Sequence, residues 1–271
     1  MPAPNFTSLS PHMTTTHSQE CNAEPSVISL DKSTNKRVGR AMHDYNMLAD
    51  GDRVLLAVSG GIDSLVMSWL LDHWQRKAPI SYTLLAANLD MGFGEDEPRL
   101  MEEQFKILGI PYMIERTDFG VQAMKEENGK SGCFHCAKKR RNRLFALAQE
   151  KGCNKIALGH HKEDIIETLF LNMFYSGNLS TMVPRQELFN GKLALIRPLA
   201  YLEKEQIRSL GAEIGVTPVP NPCPLSEDSK RGTVRTLLND LYQQDDRLKS
   251  NIFAALGNVK HDYLLKGGLK S

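Results

Sequence analysis

The sequence lacks the features that direct a protein into a membrane or out of the cell. No apolar run approaches the length of a transmembrane helix, and the N-terminus has no charged segment followed by an apolar one. The cysteines number five, an odd count that argues against a disulfide framework: Cys21, Cys133, Cys136, Cys153 and Cys223. These absences predict a cytoplasmic protein with reduced thiols and no membrane partner.

Two further absences concern charge and nucleotide motifs. The net charge is only +1, so any contact with nucleic acid has to come from a local patch rather than from the whole molecule. The sequence has no G-x-x-x-x-G-K-[ST] motif, and no G-x-G-x-x-G follows the first apolar strand. Kinases and GTPases of the P-loop type, and dinucleotide enzymes, are therefore disfavoured.

Short apolar strands alternate with helical segments through the middle of the chain. Strands are predicted at 53–58, 82–89, 111–114, 155–158 and 193–196, and helices at 65–74, 98–108, 137–149, 163–175 and 204–214. This alternation predicts an α/β fold with a doubly wound, parallel five-stranded sheet and a C-terminal helical extension. We expect a disordered polar tail over 1–30, an α/β domain over 31–216, and a loop with helices over 217–271.

The segment SGGIDS at residues 59–64 lies between the first strand and the first helix of this pattern. Its glycines allow a tight turn close to an anion, and the N–H groups that open the helix point toward that anion. A glycine turn that merely connects strand to helix is the alternative. We predict a pyrophosphate-binding loop that holds ATP, with these candidate ligands: Ser59, Gly60, Gly61, Asp63 and Ser64. Asp63 would repel a bare phosphate, which indicates a metal bridge or a capping role.

A second turn closes the fourth predicted strand. Gly159 allows close approach there, and Asp164 could cap the following helix or hold Mg²⁺. For His160 and His161, a structural role in the turn and a ligand role are equally compatible with the sequence. Because parallel strands end at one edge of a sheet, we expect this turn beside the loop at 59–64, with Gly159, His160 and Asp164 as cofactor-binding candidates.

Cys133 and Cys136 form a lone C-x-x-C motif. The motif is compatible with a redox dithiol, half of a zinc site or half of an iron–sulfur site. Cys223 is a third thiol, in the loop after the last strand, and three thiolates leave one position of a cluster open for an exogenous ligand. His135 is better explained as a solvent-facing turn residue, and Cys153 as a small buried hydrophobe.

A run of basic residues follows the C-x-x-C motif directly: Lys138, Lys139, Arg140, Arg141 and Arg143. Such a run is usually a solvated helix face. Because this one adjoins the candidate metal site and spans more than one helix face, contact with a nucleic-acid phosphate backbone is the functional alternative.

Together these segments resemble the tRNA 2-thiocytidine synthetase (TtcA) family of PP-loop ATPases, from about residue 36 to about residue 264. The most specific parts of the likeness are the loop at 59–64, the C-x-x-C with its basic residues, and the long stretch 157–175. The segment IRPL at 196–199 and the pair Pro222-Cys223 complete it.

The resemblance implies a PP-loop (adenine nucleotide α-hydrolase-like) fold and ATP with Mg²⁺. It also implies a [4Fe–4S] cluster held by Cys133, Cys136 and Cys223. These three cysteines and Asp63 would be the catalytic residues. The basic run would hold the tRNA. Family members thiolate C2 of cytidine 32 in the anticodon loop, with sulfur from a cysteine desulfurase. The sequence is compatible with a homodimer but does not decide the oligomeric state.

The chain departs from the family pattern at three positions. Ile62 stands where the family usually has Lys, Ser226 replaces the second Cys of a second C-x-x-C, and Glu163 stands where Asp is common. These differences do not change the predictions that the protein uses ATP and a cluster. They bear on which nucleoside is the target.

Three other hypotheses are compatible with the same residues. Cys133 or Cys136 could carry a persulfide that Cys223 resolves, with no cluster. The substrate could be another tRNA nucleoside or a small molecule. The protein could also bind nucleotide or tRNA without catalysis. A lysidine-type amidating ligase is a further relative, but its reaction does not explain why the chain has cysteines at 133, 136 and 223.

Overall fold

The computed structural model of the chain describes residues 16–17, 28, 30–94, 96–126, 132–220, 223 and 230–265. Over these residues the strands are β1 Thr16–His17, β2 Asp52–Ala57, β3 Tyr82–Asp90, β4 Tyr112–Arg116, β5 Lys155–Leu158, β6 Arg185–Leu188 and β7 Leu193–Ile196. The helices are α1 Lys32–Asp44, α2 Ile62–Gln75, α3 Asp96–Leu108, α4 Phe119–Glu126, α5 Gly132–Glu150, α6 Lys162–Ser176, α7 Lys204–Ile214, α8 Lys230–Gln244 and α9 Arg247–Ala255. No helix in these ranges is both long enough and apolar enough to cross a membrane.

The strands form a single sheet with the order β1-β4-β3-β2-β5-β7-β6. The five central strands are parallel, as the sequence predicts, and the two short edge strands β1 and β6 run antiparallel to their neighbours. From β2 the chain moves to β3 and β4 on one side and then to β5 on the other. The pair β2–β5 is therefore the point where the strand order reverses, and ligands bind beyond such points in open α/β sheets.

Alternate residues of β2 enter two different hydrophobic cores. Val54 and Leu56 pack in a cluster with residues of α1, α2, α3 and α7. Leu55 and Ala57 pack in a second cluster with residues of α5. This period of two, on a strand that is apolar throughout, is what a parallel sheet covered on both faces requires. The doubly wound fold is confirmed.

The chain divides into two compact units, Met1–Lys162 with Val183–Asp228, and Glu163–Met182 with Ser229–Ser271. In the second unit, Ile166, Val234 and Leu238 form a small core of their own. The last turn of α6 extends past that core, because Met173 and Phe174 are 38% and 51% exposed. The domain boundaries expected at 30 and 216 stay a prediction.

Local pattern locates several elements closely and misses others. The predicted segments 155–158, 193–196 and 204–214 coincide with β5, β7 and α7. The edge strand β6 was not predicted, because its sequence RQEL has no apolar alternation. The tail predicted at 1–30 lies outside the described residues except at 16–17, 28 and 30. Helix α5 begins at Gly132 rather than at 137, so Cys133 and Cys136 lie in a helix and not in a loop.

Candidate functional site

The loop after β2 is shaped by glycines. Gly60 has a φ of +84°, which L residues with a side chain rarely adopt. A Cβ on Gly60 would also lie 3.1 Å from Met101 Sδ and 3.1 Å from Val219 Cβ. The Gly60 carbonyl accepts a hydrogen bond of 2.9 Å from the Val219 amide. The sharp turn predicted between strand and helix is therefore present.

The two serines of the loop bond to one another and to its backbone. Ser64 Oγ donates to the Gly61 carbonyl at 2.8 Å and accepts from the Ser59 amide at 3.2 Å. Gly61 is the N-cap of α2, and no side chain caps the helix there. An N-terminus without a side-chain cap, at the carboxyl edge of a central strand, is a geometry that suits an anion.

The turn after β5 lies directly against this loop. A Cβ on Gly159 would be 2.9 Å from the Asp63 carbonyl carbon and 2.9 Å from the Ser64 nitrogen. His161 is buried, with Nε2 3.8 Å from Asp63 Oδ1. The expectation that the turns after the first and fourth predicted strands lie side by side is confirmed.

Arg197, from the IRPL segment, positions the other histidine. Its Nε donates to His160 Nδ1 at 3.3 Å, and its Nη1 donates to the Val183 carbonyl. Burial lowers the pKa of the Arg197 guanidinium. This arrangement gives His160 a fixed ring orientation beside the loop.

The structure adds a cation that the sequence did not indicate. Lys204, the first residue of α7, places its Nζ 2.6 Å from Asp63 Oδ1 and 2.7 Å from Asp63 Oδ2. The two residues are separated by 141 positions in the sequence. No local pattern connects them. The one signal in the sequence is that Lys204 is a charged residue at the start of the helix that follows the last strand.

Asp164, predicted to bind the cofactor, belongs to the second compact unit. Within that unit its Oδ1 lies 3.7 Å from Arg231 Nη1. Its neighbour Glu167 is almost fully buried and pairs with Arg235 at 2.7 Å and with Arg231 at 3.4 Å. Asp164 therefore takes part in an ion-pair network, and its role toward a nucleotide stays a prediction.

Among the candidate metal ligands, Cys136 and Cys223 are each half-buried. The side chain of Cys133 and the residues on both sides of Cys223 lie outside the described part of the chain. Within the described part there is no group of three or more His, Cys, Asp or Glu side chains that could hold a metal. The cluster stays a prediction that rests on the cysteines themselves.

Two partly buried charged residues, Arg140 and Glu97, interact near Cys136. Burial lowers the pKa of Arg140, and the charges of Cys136 and Glu97 oppose that change. Burial and the neighbouring Asp90 raise the pKa of Glu97 to about 6, with Arg140 acting in the opposite direction. Glu97 Oε2 is buried without a hydrogen-bond partner among the described residues. Glu97 could not be singled out from the sequence, because a single acidic residue in a helix carries no pattern.

The basic run separates into residues with different surroundings. Arg143 is only 17% exposed, and its guanidinium binds Glu115 at 2.6 and 2.8 Å and Glu150 at 2.6 and 3.1 Å. Lys139 donates to Gln122 Oε1 at 2.9 Å. The described residues of the run that face solvent are Lys138 and Arg141. Arg143 therefore takes part in two ion pairs, and its contact with tRNA stays a prediction.

Comparison with known proteins agrees with this geometry. The model of the PP-loop domain family matches residues 30–241. A tRNA-cytidine(32) 2-sulfurtransferase of Syntrophotalea carbinolica is 38% identical over 244 residues, which cover 89% of this chain and 94% of the relative. A protein of the same name from Geotalea daltonii is 38% identical over 246 residues, covering 90% of this chain and 98% of the relative.

A solved structure shares the fold. The U34-tRNA thiolase NcsA from Methanococcus maripaludis, determined with its [4Fe–4S] cluster, superposes with a TM-score of 0.68 at 21% identity. The match covers 85% of this chain and 79% of that one. The family match over most of the chain, and relatives of this identity over nearly their full length, show that the chain belongs to the PP-loop domain family and, within it, to the tRNA-cytidine(32) 2-sulfurtransferases.

Proposed function

We propose that this protein is an ATP-dependent tRNA sulfurtransferase that converts cytidine 32 of the anticodon loop to 2-thiocytidine. The observation that carries the proposal is the 38% identity to tRNA-cytidine(32) 2-sulfurtransferases over 89% of the chain. The glycine loop supports it independently. It lies where the strand order reverses between β2 and β5, and a nucleotide would bind at that edge of the sheet.

The reaction needs the C2 oxygen of the base to become a leaving group. That oxygen attacks the α-phosphorus of ATP, which enters as its Mg²⁺ complex, and pyrophosphate departs. A sulfur nucleophile then adds to C2, and the C2–oxygen bond breaks to release AMP. The N-terminus of α2 and the backbone of residues 59–64 would hold the phosphates and stabilise the charge that develops on them.

The thiols fit an iron–sulfur cluster in donor chemistry, because thiolates are its usual ligands. Cys133, Cys136 and Cys223 would hold it, and its fourth iron would supply an open position for the incoming sulfide. Protein purified without oxygen should contain about four iron and four sulfide per chain, and Cys136→Ala should lose them. Colourless protein that still thiolates tRNA would instead support a persulfide on Cys133 or Cys136.

The tRNA would be held in part by Lys138 and Arg141, which are the solvent-facing cations of the basic run on α5. We further propose that a cysteine desulfurase supplies the sulfur, that the enzyme works in the cytoplasm, and that it is a homodimer. Size-exclusion chromatography with light scattering tests the last of these points directly.

Mass spectrometry of tRNA nucleosides tests the substrate. Cells lacking the gene should lose 2-thiocytidine, and the wild-type gene should restore it. Cys136→Ala should fail to restore it, whereas Cys153→Ala, which changes a half-buried cysteine outside the proposed ligand set, should succeed. An unchanged 2-thiocytidine level in the deletion strain would exclude cytidine as the target, and loss of a different thionucleoside would identify the true one.

A further inference from the structure

The predicted phosphate loop has no cation of its own. Its six residues, SGGIDS, contain one ionisable side chain, that of Asp63, and its charge is negative. A helix N-terminus contributes only about half a positive charge. The loop therefore combines a weak attraction for a polyphosphate with a full negative charge in the first turn of α2. A cation from elsewhere in the chain would correct this balance alongside any Mg²⁺ that enters with ATP.

Lys204 reaches the loop from α7. Its Nζ lies 2.6 and 2.7 Å from the two oxygens of Asp63. The side chains of Lys204 and Asp63 are 30% and 26% exposed, so the pair is partly buried and still accessible to a ligand. An ammonium group has three donor hydrogens, which allows it to bridge Asp63 and a phosphate oxygen at the same time.

The position of Lys204 is set by the packing of α7 on α2. A Cβ on Gly211 would lie 2.4 Å from Ile62 Cδ1, which shows how closely the two helices approach. Residues 204 and 211 are two helical turns apart and share one face of α7. The apolar contact of Ile62 with Gly211 thus places Lys204 at the N-terminus of α2. The capping box of Glu203 and Gln206 holds the start of α7 in this position.

Neighbouring cations have other partners in the structure. Lys162 is buried and donates to Glu203 Oε1 at 2.7 Å, and Arg37 lies 3.5 Å from the same oxygen. Arg197 donates to His160 and to the Val183 carbonyl. Glu203 and Lys204 are adjacent in sequence, yet Glu203 pairs with Lys162 and Lys204 pairs with Asp63.

We propose that Lys204 is the phosphate-binding cation of this site and that it contacts the β- and γ-phosphates of ATP, the part that leaves as pyrophosphate. The proposal rests on ATP being the substrate of the proposed function. Lys204 neutralises Asp63 and donates to the phosphate oxygens, and so it supplies from α7 the positive charge that the loop sequence lacks.

Binding measurements on Lys204→Met, which keeps the length of the side chain and removes its charge, test the proposal. Calorimetric titration with MgATP should show roughly 10- to 100-fold weaker binding than in the wild type, the range for hydrogen bonds to charged groups. AMP lacks the β- and γ-phosphates, so its affinity should change by less than about threefold. Lys204→Arg should recover most of the MgATP affinity. The control Arg208→Met removes an exposed cation of the same helix, paired at 3.6 Å with Glu205, and should bind MgATP as the wild type does.

The double variant Asp63→Asn/Lys204→Met separates direct contact from simple neutralisation. If Lys204 only cancels the charge of Asp63, removing both charges restores the affinity for MgATP. If Lys204 contacts the phosphates, binding stays weak. Restored affinity in the double variant, or unchanged affinity in Lys204→Met, overturns the proposal. Failure of the wild type to bind MgATP would reject the ATP function itself and this proposal with it. Far-ultraviolet circular dichroism of each variant verifies that it is folded.

Discussion

Replacing Gly159 by Ala tests whether the turn after β5 sets the position of the phosphate loop. The added Cβ would lie 2.9 Å from the Asp63 carbonyl carbon, 2.9 Å from the Ser64 nitrogen and 3.0 Å from Ser64 Cα. Carbon atoms at van der Waals contact are about 3.5 Å apart or more, so the first turn of α2 has to move by about 0.5 Å. The opposing atoms are all backbone, and no side-chain rotation can relieve the contact.

The displacement should affect both stability and ligand binding. Overpacking of this kind costs about 1–3 kcal/mol, so the free energy of unfolding should fall by that amount in urea titrations followed by circular dichroism. The N–H groups that open α2 would shift with the turn, and MgATP affinity should fall on the order of tenfold in calorimetric titrations.

Gly94→Ala provides a matched control for the same chemical change. No atom of the described residues lies within 4 Å of a Cβ at Gly94, and its φ is outside the left-handed region. Its free energy of unfolding should therefore stay within about 0.5 kcal/mol of the wild type. If Gly159→Ala is as stable as Gly94→Ala and binds MgATP with wild-type affinity, the close packing of the two turns does not position the loop.

Two further predictions concern α3 and α5. Because the pKa of Glu97 is raised from 4.5 to about 6, the native state retains a proton that the unfolded chain loses, and wild-type stability falls as the pH rises across that interval. Glu97→Gln should therefore be more stable than the wild type above pH 6, by about 1 kcal/mol after allowance for partial exposure. In urea titrations this difference should shrink toward pH 4.5. A difference in the free energy of unfolding that does not depend on pH would contradict this. Lys138→Ala/Arg141→Ala should weaken tRNA binding and reduce the slope of log affinity against log salt by about 1.4–1.8, as expected for two lost phosphate contacts. The control Arg99→Ala, on the exposed face of α3, should leave that slope unchanged, and an unchanged slope in the double variant would remove these residues from the tRNA surface.

The position of the loop was predictable because it depends on local features. A continuous apolar strand, two glycines and a helical segment in sequence are enough to place residues 59–64 beyond the end of β2. The neighbourhood of Gly159 was also predictable, since parallel strands end at the same edge of a sheet. The order of the strands decides whether the two turns adjoin, and here β2 and β5 are paired.

The surroundings of individual charges were not predictable from the same patterns. Arg143 belongs to the basic residues that follow the C-x-x-C motif, but the fold brings it against Glu115 on β4, which is only 4% exposed, and gives it an ion-pair role. Lys138 and Arg141 of the same run face solvent. Helical position alone cannot separate these cases, because the partner is supplied by a strand that lies 28 residues earlier.

The sequence by itself determined the class of fold, the loop at 59–64, and the family to which the chain is similar, since all three follow from local patterns and contiguous motifs. Only the tertiary structure decided which charged side chains form ion pairs with one another. Asp63 was expected to need a metal or a cap, and the structure places the ammonium group of Lys204 on both of its oxygens. That pairing depends on the packing of α7 against α2 through Ile62 and Gly211, which is a long-range contact of side-chain shape that no local pattern encodes.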